Sequence, residues 1–165
     1  MCARRGYFAV PDSNVTAEQR TAQLDEAIRS SLDSSELGLD VQVEPVDVSG
    51  IRKLKIQTKL DSTQLRLEEH SGVWTDNLDV AWAEYDSAGR SLGTVSQSIS
   101  VKLSQQRREA ISREGIIFSE TVGVRSGAVE ARLAVRDAGS GTIGSVNISL
   151  TRLFAAATTP QLPRK

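Results

Sequence analysis

Short segments in which apolar and polar residues alternate constrain the fold of this chain more than any other feature. Successive side chains of a β-strand point to opposite faces of a sheet, so each such segment predicts a strand with one buried face. The alternating segments are 39–43, 54–60, 65–67, 78–82, 99–103, 131–135 and 146–150. Turn-forming residues separate them, and strands do not alternate regularly with helices. We therefore predict a mainly β protein, with an immunoglobulin-like antiparallel β-sandwich over residues 37–154.

Two segments have helical character instead. Thr16 and Gln19 form a capping-box pattern, and a stripe of apolar residues then recurs at helical spacing, at Leu24, Ala27, Ile28 and Leu32. This predicts an N-terminal helix from about Thr16 to Leu32, in a unit that spans residues 15–36. The segment SQQRREAISREG predicts one short crossing helix anchored by Ile111 and ended by Gly115. Residues 1–14 are then a linker, and residues 155–165 a flexible tail.

The apolar stripe of the N-terminal helix requires a partner. A helix of this length is marginal in water and gains its stability by packing. Because the connection DSSELG to the first strand is short, we expect the helix to dock on the sandwich near that strand. The alternative is a helix that swings freely on its linker.

The stretch GSGTIG matches the glycine spacing G-x-G-x-x-G of dinucleotide-binding loops. Such a loop needs a helix after the glycines, whose N-terminus holds the phosphate. Here the alternating segment SVNISL follows Gly144. We therefore interpret the motif as a turn between two strands, with Asp137 and the glycines supplying turn geometry.

The charge balance argues against nucleic acid as a partner. The chain has 20 Lys and Arg residues against 21 Asp and Glu residues, and phosphate binding needs concentrated positive charge. The one near-cluster contains Lys53, Lys55 and Lys59, which share a face at strand spacing. We interpret them as a solvated strand surface, with phosphate binding as the minor alternative.

The residues for catalysis or metal binding are scarce. Cys2 is the only cysteine and His70 the only histidine, so the chain cannot form an internal disulfide or a cysteine zinc site. Glu68, Glu69 and His70 are consecutive and cannot all face one ion from an extended strand. We expect no catalytic residue, no metal and no cofactor, and hence no enzyme.

Acidic and aromatic residues crowd the segment WTDNLDVAWAEYD. We interpret its four carboxylates as a solvated face, with calcium at a strand end as an alternative: Asp76, Asp79, Glu84 and Asp86. Trp82 is predicted to lie in the core. Trp74, Asp76 and Tyr85 are the candidate ligand contacts if one end of the sandwich binds a small ligand or glycan.

No apolar run is long enough for a signal peptide or a membrane span. The chain is then either cytosolic or a fragment whose export signal lay upstream.

Four stretches together resemble the C-terminal region of the VWFA-related proteins abundant in Acidobacteria. They are RRGYFAVPD, SSLDSSELGLDVQV, WTDNLDVAWAEYDSAGRSLG and ARLAVRDAGSGTIGSV, and the resemblance covers roughly residues 4–152. It implies a β-sandwich that follows a von Willebrand factor A-like domain, in an extracytoplasmic protein. It also implies that the A domain and its metal site lie outside this chain.

The residues and the resemblance favour a non-catalytic accessory or protein-interaction module. Its expected partner is another protein or the upstream A-like domain, which the N-terminal helix could also contact. A small-ligand or glycan-binding module is the alternative.

Overall fold

A computed structural model describes residues 16–158 of the 165-residue chain, so the predicted linker and the end of the predicted tail lie outside the described residues. The helices are α1 Ala17–Arg29, α2 Gln105–Glu114 and α3 Leu150–Thr158. The strands are β1 Leu39–Val48, β2 Ile51–Leu60, β3 Glu68–His70, β4 Val73–Tyr85, β5 Ser91–Ser104, β6 Ile116–Gly123, β7 Glu130–Asp137 and β8 Ile143–Ser149.

The strands form two antiparallel sheets, which confirms the predicted sandwich. The smaller sheet has the order β1-β2-β6. In the larger sheet, β5 pairs along the whole of β4, so β3 and β7 share the other edge of β4, and β8 follows β7. Residues 34–37 bond to β8, where Ser145 N donates to Ser34 O at 2.9 Å and Leu37 N donates to Ile143 O at 3.1 Å. This connection covers the outer edge of β8.

The core lies between the two sheets, where every second side chain of each strand points inward. Its members on the central strands are Leu54, Ile56, Leu60, Leu78, Val80, Trp82, Leu133 and Val135. Trp82 is buried as predicted. A hairpin connects β4 to β5, where Asp86 Oδ1 accepts from Ala88 N and Arg90 N at 2.9 Å.

Helix α1 forms a third layer on the outer face of the larger sheet. The Thr16–Gln19 capping box is present, and Leu24 and Ile28 pack against three alanines of β4 and β7, which are Ala81, Ala83 and Ala134. The helix docks on the sandwich as predicted, but the expected position near the first strand is wrong. The small alanine side chains leave a shallow floor on which a helix can pack closely.

Leu32 does not belong to the buried stripe. The helix ends at Arg29, and 76% of Leu32 is exposed. The predicted helix therefore extends three residues too far at its C-terminal end, because the sequence carries no strong stop signal before Asp33.

Helix α2 matches its prediction, with Ser104 as N-cap, Ile111 buried and Gly115 as C-cap. Helix α3 corrects two predictions, since the β-sandwich was expected to continue to residue 154 and a flexible tail to begin at residue 155. Leu150 is buried, and Leu153 and Phe154 pack against the core at helical spacing. The alanines that follow have the highest helix propensity.

The predicted strand at residues 65–67 is also absent. Asp61 caps a short 3-10 helix at Ser62–Gln64 instead, by accepting from Thr63 N at 3.0 Å, and β3 begins only at Glu68.

Candidate functional site

The glycine motif is a hairpin turn between β7 and β8, as predicted. The Asp137 carboxylate accepts hydrogen bonds from Gly139 N at 3.2 Å and from Ser140 N at 3.0 Å. Any side chain at Gly139 would collide with the backbone of Arg66, because its Cβ would lie 2.6 Å from the Arg66 carbonyl oxygen. The loop amides that a phosphate would use are thus bonded to a carboxylate of the protein itself.

Two of the four acidic residues expected on a solvated face are buried. Asp76 and Glu84 lie on the face of β4 that also carries Leu78 and Trp82, and they point into the sandwich. Asp79 and Asp86 are more accessible, as expected. The correction follows from strand geometry, because every second residue of one strand shares one face.

Asp76 and Asp137 form a buried carboxyl pair at one end of the sandwich. Burial, then hydrogen bonding to Asp137 and its negative charge, raises the pKa of Asp76 to about 8. Asp76 Oδ1 accepts from Asn77 N at 2.7 Å, while Oδ2 has no donor beside it within residues 16–158. A protonated Oδ2 can therefore donate to Asp137. Asp137 Oδ2 also accepts from Arg66 N at 3.1 Å, so the pair fastens the loop before β3 to β4 and to the β7–β8 turn.

Glu84 forms a second buried polar group at the opposite end of β4. Its Oε2 accepts from Arg125 N at 3.2 Å and from Arg125 Nη1 at 3.1 Å, and its Oε1 accepts from Trp82 Nε1 at 3.3 Å. The Arg125 guanidinium lies over Gly93 of β5, where any Cβ would come within 2.6 Å of it. Glycine at this position leaves the space for the ion pair.

A cleft of about 640 Å³ opens between the sheets, along the side where β5 and β6 are the edge strands. Its walls are mainly apolar and aromatic: Ile56, Val80, Trp82, Val95, Phe118, Val122 and Leu133. Val95 is 56% exposed at the mouth. This volume lies within the range of pockets that bind small molecules.

Polar groups are few in the cleft and differ in their bonding. Gln97 Nε2 on β5 donates to Glu120 Oε1 on β6, which bridges the mouth. Thr58 is fully buried, and its Oγ1 has no hydrogen-bond partner in the described part of the chain. An unpaired buried hydroxyl is costly, so a polar group that enters the cleft would find a partner there.

The candidate ligand contacts predicted from sequence are not brought together. Trp74 and Tyr85 lie eleven positions apart on β4, which is about 37 Å at ~3.4 Å per residue. Trp74 packs on α2, with the Arg108 guanidinium 3.8 Å from its ring and Nε1 donating to Gln105 at 2.8 Å. Tyr85 OH donates to Ile28 O of α1 at 2.7 Å. Asp76 is buried near the Trp74 end.

Sequence reasoning did not find the cleft. The one available signal was residue alternation, which places Val80 and Trp82 on the inward face of β4. The same alternation places the polar residues Gln97 and Glu120 on the inward faces of β5 and β6. Which strands flank each other across the sandwich depends on the tertiary fold.

The other predicted surface features lie on the exterior. Lys53, Lys55 and Lys59 share the outer face of the smaller sheet, where Lys55 pairs in register with Glu44 and Lys59 with Asp40. His70 is exposed, with Nε2 at 3.5 Å from Glu68 Oε2.

Within residues 16–158, no group of three His, Cys, Asp or Glu residues could hold a metal ion. In the same range, no helix is both long and apolar enough to span a membrane. Cys2 lies outside the described residues.

No protein-family model matches this chain, and no curated protein matches it. Among solved structures, the chain is similar to the X-ray structure of Northeast Structural Genomics Consortium target SoR45. The TM-score is 0.36 at 12% sequence identity, over 70% of this chain and 84% of that chain. This similarity carries no functional argument.

Proposed function

We propose that this chain is a non-catalytic protein-interaction module, which binds an extended segment of a partner along strand β5. The observation that carries the proposal is the free edge of β5 beside the open cleft. Within the described residues, β5 pairs only with β4, so its other edge presents unpaired backbone donors and acceptors. An extended peptide can add to such an edge as a further strand.

The sequence of β5 supports this use. Natural edge strands are protected from pairing by charges, prolines or bulges. Residues 91–101 contain no charged residue and no proline, and Lys102 is the first charge of the strand. The pairing with β4 is irregular at Leu92, because Tyr85 pairs with Ser91 and Glu84 with Gly93, and it is regular from Gly93 onward. The other end of the larger sheet is covered, since residues 34–37 bond to β8. Residues 94–101 therefore form a regular edge without charge, proline or bulge, which favours pairing with another strand.

The cleft supports the same use through side-chain contacts. A strand added to β5 would project every second side chain toward the sandwich interior. Those side chains would meet Val95 at the mouth and the apolar walls behind it. Backbone pairing would then supply affinity, and the cleft would supply specificity.

The cellular context of the proposal rests on the sequence resemblance alone. On that basis, the module belongs to a VWFA-related extracytoplasmic protein, where the upstream A-like domain is one candidate partner. A proteomic comparison of the periplasmic or surface fraction with the cytosol of the source cell tests this location. Recovery only from the cytosol would contradict it.

Selection of a displayed peptide library on the purified chain tests strand addition directly. We expect enrichment of extended sequences with alternating apolar residues. The double variant Thr94→Lys and Ser96→Lys, which puts charge on exposed positions of β5, should lose these peptides. The control Gln42→Lys and Gln57→Lys adds the same charge to the outer face of the smaller sheet and should keep them. Failure to enrich any peptide, or equal binding by both variants, would overturn the proposal.

The volume of the cleft favours a small-ligand module as the second candidate function. A ligand at 100 times its dissociation constant stabilises a protein by about 2.7 kcal/mol. A thermal-shift panel of apolar small molecules and glycans would detect such binding. The separation of Trp74 from Tyr85 argues against a glycan site built from those two rings.

A further inference from the structure

The cleft holds one negative charge without a cationic partner in the described chain. Glu84 and Arg125 neutralise each other at its end. Glu120 on β6 is half-buried, and its bond within the described residues is with the neutral Gln97 amide. A carboxylate at the mouth of an apolar cleft that is bonded only to a neutral group attracts a cation and repels an anion.

The unpaired hydroxyl of Thr58 lies close to this charge. Thr58 pairs in register with Phe118, and Glu120 is two positions further along β6 on the same face. Such diagonal neighbours are separated by roughly 7–8 Å. A group with several N–H donors placed between them can donate to Glu120 and to Thr58 Oγ1 together.

The remaining walls suit an alkyl chain that carries a cation. Trp82 and Phe118 present aromatic rings, which attract cations and pack against aliphatic groups. Val80 and Leu133 extend the apolar surface. A primary ammonium on an unbranched chain satisfies all of these groups, whereas a carboxylate, an alcohol or a quaternary ammonium each fails one of them.

We infer that the cleft is a binding site for a primary alkylammonium group, which a bound partner strand supplies as a lysine side chain. The lysine assignment rests on the proposed strand addition, while the ammonium site itself rests only on the cleft. Glu120 binds the charge, Thr58 accepts one N–H, and the aromatic and aliphatic walls hold the chain.

Small amines test the site without any partner protein. The chain has two tryptophans, so the two indole N–H signals in ¹H–¹⁵N NMR report on the cleft through Trp82 and on α2 through Trp74. We expect n-hexylamine to shift the Trp82 signal saturably and to leave the Trp74 signal in place. n-Hexanol, hexanoate and hexyltrimethylammonium should each bind about tenfold more weakly or not at all. Equal binding by all four probes, or no shift of Trp82, would overturn the site.

Two isosteric variants assign the roles of the polar groups. Glu120→Gln should weaken n-hexylamine about tenfold, and Thr58→Val about threefold or more. The control Glu44→Gln removes an exposed carboxylate from the outer face of the smaller sheet and should change nothing. Unchanged affinity in Glu120→Gln would overturn the ammonium assignment.

The two proposals fail in different ways. One outcome is that peptides are selected on β5 without an enriched lysine and that amines bind no better than alcohols. This outcome would support strand addition and contradict the ammonium site. Selective amine binding without any selected peptide would leave the ammonium site standing and remove the partner strand.

Discussion

At the scale of single residues, the buried polar side chains of this protein connect different segments of the chain through hydrogen bonds. The Asp137 carboxylate holds the turn amides of Gly139 and Ser140 and the backbone of Arg66. Asp76 can bind beside it only in its protonated form, since two buried carboxylates at close range disfavour a second negative charge. The pair therefore links the stability of the fold to pH.

The first prediction concerns this pair. The pKa of Asp76 is raised from 3.8 to about 8 on folding, so between these pH values the folded state keeps a proton that the unfolded state has lost. Stability must therefore fall as pH rises from about 4 to about 8, by at most ~1.4 kcal/mol per pH unit for one proton. Asp76→Asn cannot ionise and should flatten this slope in urea unfolding measured at pH 5, 6, 7 and 8.

The control for this series is Asp40→Asn, which removes an exposed carboxylate from β1. Hydrogen bonds lower the pKa values of Asp61 and Asp86, so protonation of these two carboxylates changes the stability only below the pH range of the measurement. A wild-type free energy of unfolding that stays constant or rises from pH 5 to pH 8 would contradict the prediction.

At the scale of elements, each helix covers a surface that the strands leave exposed. Helix α1 covers the alanine floor of the larger sheet, and Tyr85 and Arg132 bond to the carbonyl oxygens of its last turn, at Ile28 and Ala27. Helix α2 covers Trp74 at one end of the sandwich. Helix α3 places Phe154 under Arg52 of β2, with the guanidinium 5.1 Å from the ring. The helices are parts of the domain.

The second prediction measures the docking of α1. Ile28 is only 2% exposed, whereas Leu32 is 76% exposed, although both belong to the same apolar stripe in the sequence. Ile28→Asp should cost about 2–4 kcal/mol of unfolding free energy, because it buries an unpaired charge and removes apolar contacts. Leu32→Asp should change it by less than ~0.5 kcal/mol. Urea unfolding followed by circular dichroism gives both values, and equal losses would show that α1 is not docked.

At the scale of the whole molecule, the sandwich is closed on one side and open on the other. Residues 34–37 and α3 close the side of β1 and β8, while the Gln97–Glu120 bridge and the Glu84–Arg125 pair span the open side between β5 and β6. The open side contains both proposed binding features. These two polar contacts connect the sheets on the open side.

The third prediction concerns the ion pair that spans the sheets. Arg125→Met leaves the fully buried Glu84 without its cation and should cost about 3 kcal/mol. Glu84→Gln should cost less, because the Arg125 side chain is 42% exposed and can be solvated once its partner is neutral. Chemical unfolding of both variants gives the order, and the reverse order would contradict the asymmetry.

The sequence by itself determined those features that depend on neighbours along the chain. Alternation predicted most strands, the capping box predicted the start of α1, and the β-rich segment after Gly144 distinguished a hairpin turn from a phosphate loop. It also carried enough to place Asp76 and Glu84 inside, because both share the face of Leu78 and Trp82. Local hydrogen bonding and side-chain periodicity decide these features, so they can be read before the fold is known.

Only the tertiary structure decided which surfaces meet. The docking of α1 on the alanines of β4 and β7, the helical form of residues 150–158 and the cleft between β5 and β6 all depend on segments far apart in the chain. Thr58, Gln97 and Glu120 come from three different strands, and nothing in their local sequence marks them as neighbours. The hydrophobic free energy depends on how much apolar area is buried and not on which segments bury it. The pattern of a single strand is therefore compatible with several packings until the whole core is assembled.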